Sequence, residues 1–545
     1  MLGSRLWPGL LAVICLLAPA CTGDDPSPGA TPTQTVPLDG SPTATSPPPI
    51  FAPSDDVLTV AIQEPSTLDP MRLQDPGGVL VARQLFEGLT AWDPVEEEVV
   101  PAAAESWEVS DGGRTFTFTL RQGMTFHDGT PVTSKDFAFA FDRIAAKANA
   151  SDLAYTLEDI QGFIAVNQLG DAKHLSGVRT PDPTTLVIEL DEPFYDFPVV
   201  LTHPSLVPVP ASAVADEDRF LTTPVGNGPF NIAQSWSPGD PILLKAFLGF
   251  YDTPEIDGIR FLSYPDAAAS WLPFINKDID IAEVPAGEIE GARESYGDQG
   301  YKPFLATYSF GLNVSSPQLD DIRMRRAINK AIDRQTIVQT VYRGTMTLPR
   351  GIVPEGMPGF HENLCVDLCE YAPDEAKELV GRLKKADRHV ALDYSGAQPH
   401  PRIARLVKED LEKAGLDVTL HSYPFPKYLK RLRDKDHAMY RLGWIAEYPT
   451  PDAFLTPLFD AQSPDNHSGI SSSKVDALLE RARSTASEGK RVQLYIEAEK
   501  AIMENVPIAP IGSFVAHWAA QPRVIGFVFD QTGGFDALGI ELAPE

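Results

Sequence analysis

Cysteine is scarce: the 545 residues contain 4. That excludes a disulfide-scaffold miniprotein, and the length leaves room for about three domains with a large core. Basic residues are outnumbered, 45 Lys and Arg against 75 Asp and Glu, for a formal net charge of −30. This balance argues against non-specific nucleic-acid binding, which depends on a basic surface displacing counterions. It names no ligand, because net charge bears on solubility more than on sites. Past the N-terminal segment no apolar run is long enough to cross a bilayer, which takes about 20 residues. Tyr195–Val214 comes nearest, and Pro198, Pro204, Pro208 and Pro210 break it. No internal repeat is visible, which excludes solenoids.

The common signatures of catalysis are also missing. The 10 histidines include no HExxH pair, and there is no GxSxG elbow and no Walker A loop. Gly226-Asn-Gly228-Pro229 lacks the third glycine of a dinucleotide loop and reads as a turn. The plentiful carboxylates leave a glycosidase-type pair open, but nothing singles out two of them. His127, His203 and His517 read as structural or surface residues rather than ligands.

What is present begins with a leader. Arg5 precedes a short apolar stretch, Leu10 to Leu17, followed by Ala18-Pro19-Ala20 and then Cys21. Residues 1–20 therefore read as a signal peptide. Small-small-Cys after such a stretch resembles a bacterial lipobox, which makes Cys21 the candidate lipidation site; Ala18 stands where that pattern prefers Leu. Plain secretion is the alternative. Residues 21–53 carry no Lys or Arg, are rich in Pro, Thr, Ser and Gly, and read as a disordered tether. Residues 1–53 hold one basic and three acidic residues, so the acidity belongs to the body.

In the body, residues 57–62 and 184–190 read as strands, and 115–120 (TFTFTL) alternates as a half-buried strand should. Thr133-Ser-Lys-Asp136 opens a helix in the manner of a capping box, with Phe137, Phe141, Ile144 and Ala145 at helical spacing. Beyond Asp320 the pattern turns to an α/β lobe. Helices are expected after Asp321, from Asp374 to Leu383, over 401–414 with Gly415 as the stop, and over 474–483 and 491–505. A strand is expected at 418–420 and a late one at 524–529. Cys365 and Cys369 lie close together in an exported chain, which favours a disulfide; closing so short a loop gains only about 2 kcal/mol. Half a metal site or free thiols are the rival readings, and no second cysteine pair supports a metal.

Several segments then fall into an order. Thr67-Leu-Asp-Pro70 precedes Leu85-Phe-Glu-Gly-Leu89 and Pro101-Ala-Ala-Ala-Glu-Ser-Trp107. Phe126-His-Asp-Gly-Thr-Pro-Val132, Pro224-Val-Gly-Asn-Gly-Pro-Phe230 and the helix Asp321 to Arg334 follow. Gly443-Trp-Ile-Ala-Glu-Tyr-Pro449 comes last. Together they resemble solute-binding protein family 5 of ABC importers, the dipeptide-, oligopeptide- and nickel-binding lipoproteins.

The resemblance implies an α/β, two-lobed periplasmic-binding-protein-like fold of the large class II type, with an extra subdomain in lobe I. It places lobe I at 54–310, with the inserted subdomain at about 91–222, lobe II at 311–511, and a return to lobe I at 512–545. The chain would cross near Phe310–Val314 and return near Pro510–Phe514. It implies capture of short peptides in the interlobe cleft by a monomer on the outer face of the cytoplasmic membrane. Delivery to ABC permease subunits follows, with no catalysis, cofactor, metal or nucleic acid. Glu447 stands where peptide binders of the family carry the aspartate that pairs with the ligand ammonium. Trp444 is then a pocket wall or core. Gln74, Asp75, Pro76 and Gly77 form the cleft-lining loop, and Asn313 touches ligand or holds the hinge. Because Glu is longer than Asp, a non-peptide solute such as an oligosaccharide or metal chelate is the alternative. An exported cell-envelope hydrolase is a remote third.

Overall fold

The computed structural model describes residues 51, 56–446 and 448–544; the leader, nearly all of the tether with Cys21, and the candidate Glu447 lie outside the described residues. A single twisted sheet runs through the molecule. From one edge its strands are Asp417–Tyr423, His389–Ser395, Met439–Ile445, Tyr301–Leu312, Ile508–Ala520, Ile281–Glu283, Val57–Ile62, Gly258–Ser263, Ile242–Ala246 and Phe230–Ile232. The short strand Met346–Thr347 pairs with Ile508–Ala520 off this path.

The two long central strands make the molecule two-lobed. Ile508–Ala520 pairs from Ile508 to His517 with Tyr301–Leu312. Through Trp518, Ala519 and Ala520 it pairs with Glu283, Ala282 and Ile281 on its other side. One strand thus belongs to both halves. The register between the long strands slips between Pro303 and Thr307. Pro303 has no amide to donate to the ladder, so an irregularity is expected there.

Each lobe has its own core. Leu58, Val60, Leu80, Leu85, Ile259 and Phe261 pack with Phe527, Phe529 and Phe535 from the chain end. Phe310, Leu312, Ile328, Leu392, Ile403, Val407, Leu411 and Ile511 form another core. A third lies under a four-stranded sheet, Ala104–Ser110, Thr115–Leu120, Thr185–Glu189 and Val178–Asp182. There Phe116, Phe118, Phe137, Phe141, Leu186 and Ile188 are fully buried. At about 25 cal/mol per Å², such aromatic burial dominates what holds this layer together.

Local signals explain the elements. Thr133 donates from its amide and hydroxyl to the Asp136 carboxylate, at 2.8 and 2.7 Å, and opens helix Ser134–Ala145. Asp321 accepts from the Arg323 amide at 2.8 Å and caps Ile322–Ala331. Helices Pro373–Gly381, His400–Lys413, Ser473–Arg483 and Glu488–Asn505 stand where the periodicity predicts them. The late strand is shorter than expected: only Val524–Ile525 pairs. Gly526 adopts φ +80°, which ends the strand, and Phe527 and Phe529 turn into the core.

Buried ion pairs tie the four-stranded layer to the second half. Arg491 donates to Asp196 at 2.6 Å, both nearly buried, and the Thr450 hydroxyl donates to the same carboxylate at 3.1 Å. Arg483 bridges Asp159 and Asp452 at 2.6 and 2.7 Å, with its guanidinium 3.8 Å from the Phe194 ring centre. Cys365 and Cys369 form a disulfide, their Cα atoms 5.3 Å apart. Among the described residues no helix is long and apolar enough to cross a membrane.

Candidate functional site

Between the halves lies a cavity of about 240 Å³. One wall is the start of helix Pro76–Leu85, with Gln74, Asp75, Pro76 and Gly77 before Val79, Leu80 and Arg83. The floor is the shared strand, from Phe514 to Trp518. Phe304, Thr345, Ile445 and Ala446 close it from the other side. Most of the lining is apolar, as expected of a ligand site with a few placed polar groups.

The loop that forms the first wall is held in shape by its own side chains. Asp75 caps the helix, accepting from the Gly78 amide at 2.7 Å, and also accepts from the Ser66 amide at 3.0 Å and the Ser66 hydroxyl. Pro76 occupies the first helical turn, where no amide is needed. Gly77 packs on the Gln63 backbone so closely that a Cβ would strike the Gln63 carbonyl. Gln74 donates to Asp152 at 2.8 Å. Arg83 is spent on Asp530 and Thr532.

The structure thus brings Gln74, Asp75, Pro76 and Gly77 together in one wall. Trp444 is not among the lining residues: its indole N–H donates to the Ala453 carbonyl at 2.6 Å and the ring packs on the neighbouring core. Its chain neighbours Ile445 and Ala446 do line the cavity, and Glu447 comes next in the sequence. Asn313 is buried away from it. Its amide group donates to the His437 carbonyl and its oxygen accepts from the Ser315 amide, both at 3.0 Å. It therefore braces the end of the strand Tyr301–Leu312.

Of the histidines, His203 and His517 line the cavity, and His127 does not. His127 is clasped by the Gly226 amide and the Gly228 carbonyl, and burial lowers it to about 4. His517 bonds the Gly344 carbonyl at 2.9 Å, and burial lowers it to about 4. The Gly226–Gly228 turn fastens to the chain just past the end of helix Pro76–Leu85. Asn227 accepts from the Glu87 amide and donates to the Glu87 carbonyl, both at 3.0 Å. Among the described residues no group of three or more His, Cys, Asp or Glu is placed to hold a metal.

Reading along the chain does not find Phe304, Phe514, Trp518, Asp266 or Glu283, which also line the cavity. Phe304, Phe514 and Trp518 show only an apolar strand pattern, Asp266 reads as a helix cap, and Glu283 has no local signal. Which strand face meets the cleft depends on the pairing of distant segments.

A cleft between lobes that share a central strand, walled by one loop from each side, defines a protein that binds a solute by enclosing it. Residues 98–466 match the bacterial extracellular solute-binding proteins, family 5, in their middle region, and the chain belongs to this family. It is 29% identical over 463 residues to the probable deoxycholate-binding periplasmic protein YgiS of Escherichia coli, covering 82% of this chain and 86% of that one. It is 27% identical over 491 residues to the oligopeptide-binding protein OppA of Bacillus subtilis, covering 86% and 89%. Among solved structures it resembles the unliganded open form of the murein tripeptide-binding protein MppA. That likeness has a TM-score of 0.77 at 25% identity and covers 90% of this chain and 98% of that one.

Proposed function

We propose that this protein captures short peptides in the cavity between its lobes and delivers them to an ABC importer. Residues 1–20 act as the export signal, and Cys21 carries the lipid that anchors a monomer outside the cytoplasmic membrane. The observation that carries the peptide reading is the pairing of walls. The Gln74–Gly77 loop faces a segment, Ile445–Ala446, whose next residue in the chain is Glu447. In this reading Glu447 pairs with the ligand ammonium, which is costly to bury without a carboxylate. The protein performs no chemistry: a ligand touching both lobes binds the enclosed state better and shifts the population toward it. Several relatives named for peptides, such as OppA of B. subtilis, support this.

A second reading keeps the fold and changes the solute. The largely apolar lining and the likeness to a probable deoxycholate-binding protein favour an amphipathic non-peptide ligand. Titration calorimetry with di- and tripeptides, their N-acetylated forms and sodium deoxycholate decides between the two. The peptide reading expects Glu447→Gln to weaken free-amine peptides at least tenfold (about 1.4 kcal/mol) while barely affecting acetylated ones. Binding of deoxycholate without any peptide overturns it.

A further inference from the structure

Most polar side chains around the cavity are already engaged. Asp75 holds Ser66 and Gly78, Gln74 holds Asp152, Arg83 holds Asp530 and Thr532, and His517 holds Gly344. Glu283 is different. It ends the strand Ile281–Glu283, paired in register with Trp518, and lines the cavity, yet its carboxylate makes no hydrogen bond or ion pair with any described residue. Asp266, the cap of helix Ala267–Ile275, lines the same side and accepts from the Ala269 amide at 2.9 Å. Two neighbouring carboxylates therefore line the mostly apolar cavity together, and one of them is half-buried without a partner among the described residues.

We infer that Glu283, with Asp266 behind it, is a specificity pocket for a cationic side chain, so the protein selects peptides that carry lysine or arginine. The inference rests on the peptide reading above and adds the ligand's side-chain class to it. A buried carboxylate gains most from a partner able to donate charged hydrogen bonds, and an anionic or neutral group leaves it unpaired. The apolar lining suits the methylene stem of such a side chain, with its charged head at the acidic end.

The electrostatics agree with the geometry. Burial, reinforced by the charge of Asp266, raises Glu283 to about 7. The other groups packed around it do not oppose this. His517 on the adjacent strand is neutral above pH 5, burial having lowered it to about 4. Arg293, on helix Ile289–Tyr296, is paired with Asp298 at 2.7 Å. A cation entering the pocket favours ionised Glu283 and expels its proton. Affinity for basic peptides relative to neutral ones should therefore rise from pH 5.5 to 8.

The test is titration calorimetry of the purified protein with Ala-X-Ala peptides, X being Lys, Arg, Gln, Leu or Glu, and with sodium deoxycholate, at pH 5.5 and 8. The wild type is expected to favour Lys and Arg over Gln by about tenfold or more at pH 8. Glu283→Gln should erase that preference and its pH dependence, weakening the Lys and Arg peptides about tenfold more than Ala-Leu-Ala. Asp266→Asn, which keeps the helix cap, should weaken the preference in the same direction. Peptide binding with no preference for Lys or Arg, or a preference that survives Glu283→Gln, overturns the pocket but leaves the peptide reading standing. Binding of no peptide overturns both.

Discussion

Replacing Asp196 by alanine tests whether the buried ion pairs hold the four-stranded layer to the second half. Arg491 and Asp196 have side chains only 10% and 9% exposed, so their charges are largely removed from water. Removing the carboxylate leaves the guanidinium with the Thr485 and Ala486 carbonyls, at 2.9 and 3.3 Å, and strips Thr450 of its acceptor. Stranding a buried charge in this way costs about 3–5 kcal/mol. The two remaining carbonyls put the expectation at the lower end, about 3 kcal/mol. Asp196→Asn, which keeps acceptors but not the charge, should cost about 1–2 kcal/mol. The double variant Asp196→Ala/Arg491→Met should recover part of the loss, because no charge is left stranded. Equilibrium urea unfolding followed by tryptophan fluorescence measures all three. A loss under about 0.5 kcal/mol for Asp196→Ala, or a double variant as damaged as the sum of the singles, would refute the reasoning.

Other outcomes follow from the same physics. Burial raises Glu87, Glu283 and Glu499 to about 7. The folded protein therefore keeps protons there that the unfolded chain releases, and stability should fall as pH rises from 6.5 to 8. The buried histidines, lowered to about 4 or below, offset part of this fall near pH 6.5, where the unfolded chain still binds protons that the folded state does not. Urea midpoints at pH 6.5 and 8 check this, and Glu499→Gln should flatten the slope; a rise toward pH 8 contradicts it. Gly77→Ala drives a Cβ into the Gln63 carbonyl, so it should lower stability by about 1–3 kcal/mol and weaken every ligand of the cavity alike. Trp444→Phe removes the donor to Ala453 and should cost about 1–2 kcal/mol, with peptide affinity falling only a few-fold. A hundredfold loss of affinity at unchanged stability would instead make the indole a direct ligand contact.

Local chemistry made much of the fold legible. The alternation of 115–120 and the capping box at Thr133–Asp136 each specify one element through near neighbours, and each element forms as read. The strand expected over 524–529 failed because a single glycine at positive φ outweighs a run of good strand formers. The site was harder to read. The loop Gln74–Gly77 carries its own punctuation, a cap followed by Pro and Gly, and it does line the cavity. Glu283 carries no local mark. It faces the cavity because Ile281–Glu283 pairs with Trp518–Ala520, more than two hundred residues away, and periodicity cannot give that register. Trp444 directly precedes the lining residues Ile445 and Ala446, whereas Asn313 lies away from the cavity; their side chains are engaged by Ala453, His437 and Ser315. Which way a strand residue turns is decided by the partner strand.

Native mass spectrometry of the protein purified without added ligand, with the copurifying small molecules released and identified, reads the natural solute itself. A ladder of short peptides enriched in lysine and arginine is the expected result. A single non-peptide species, such as a bile acid, a sugar or a metal chelate, would contradict it while leaving the fold and family untouched.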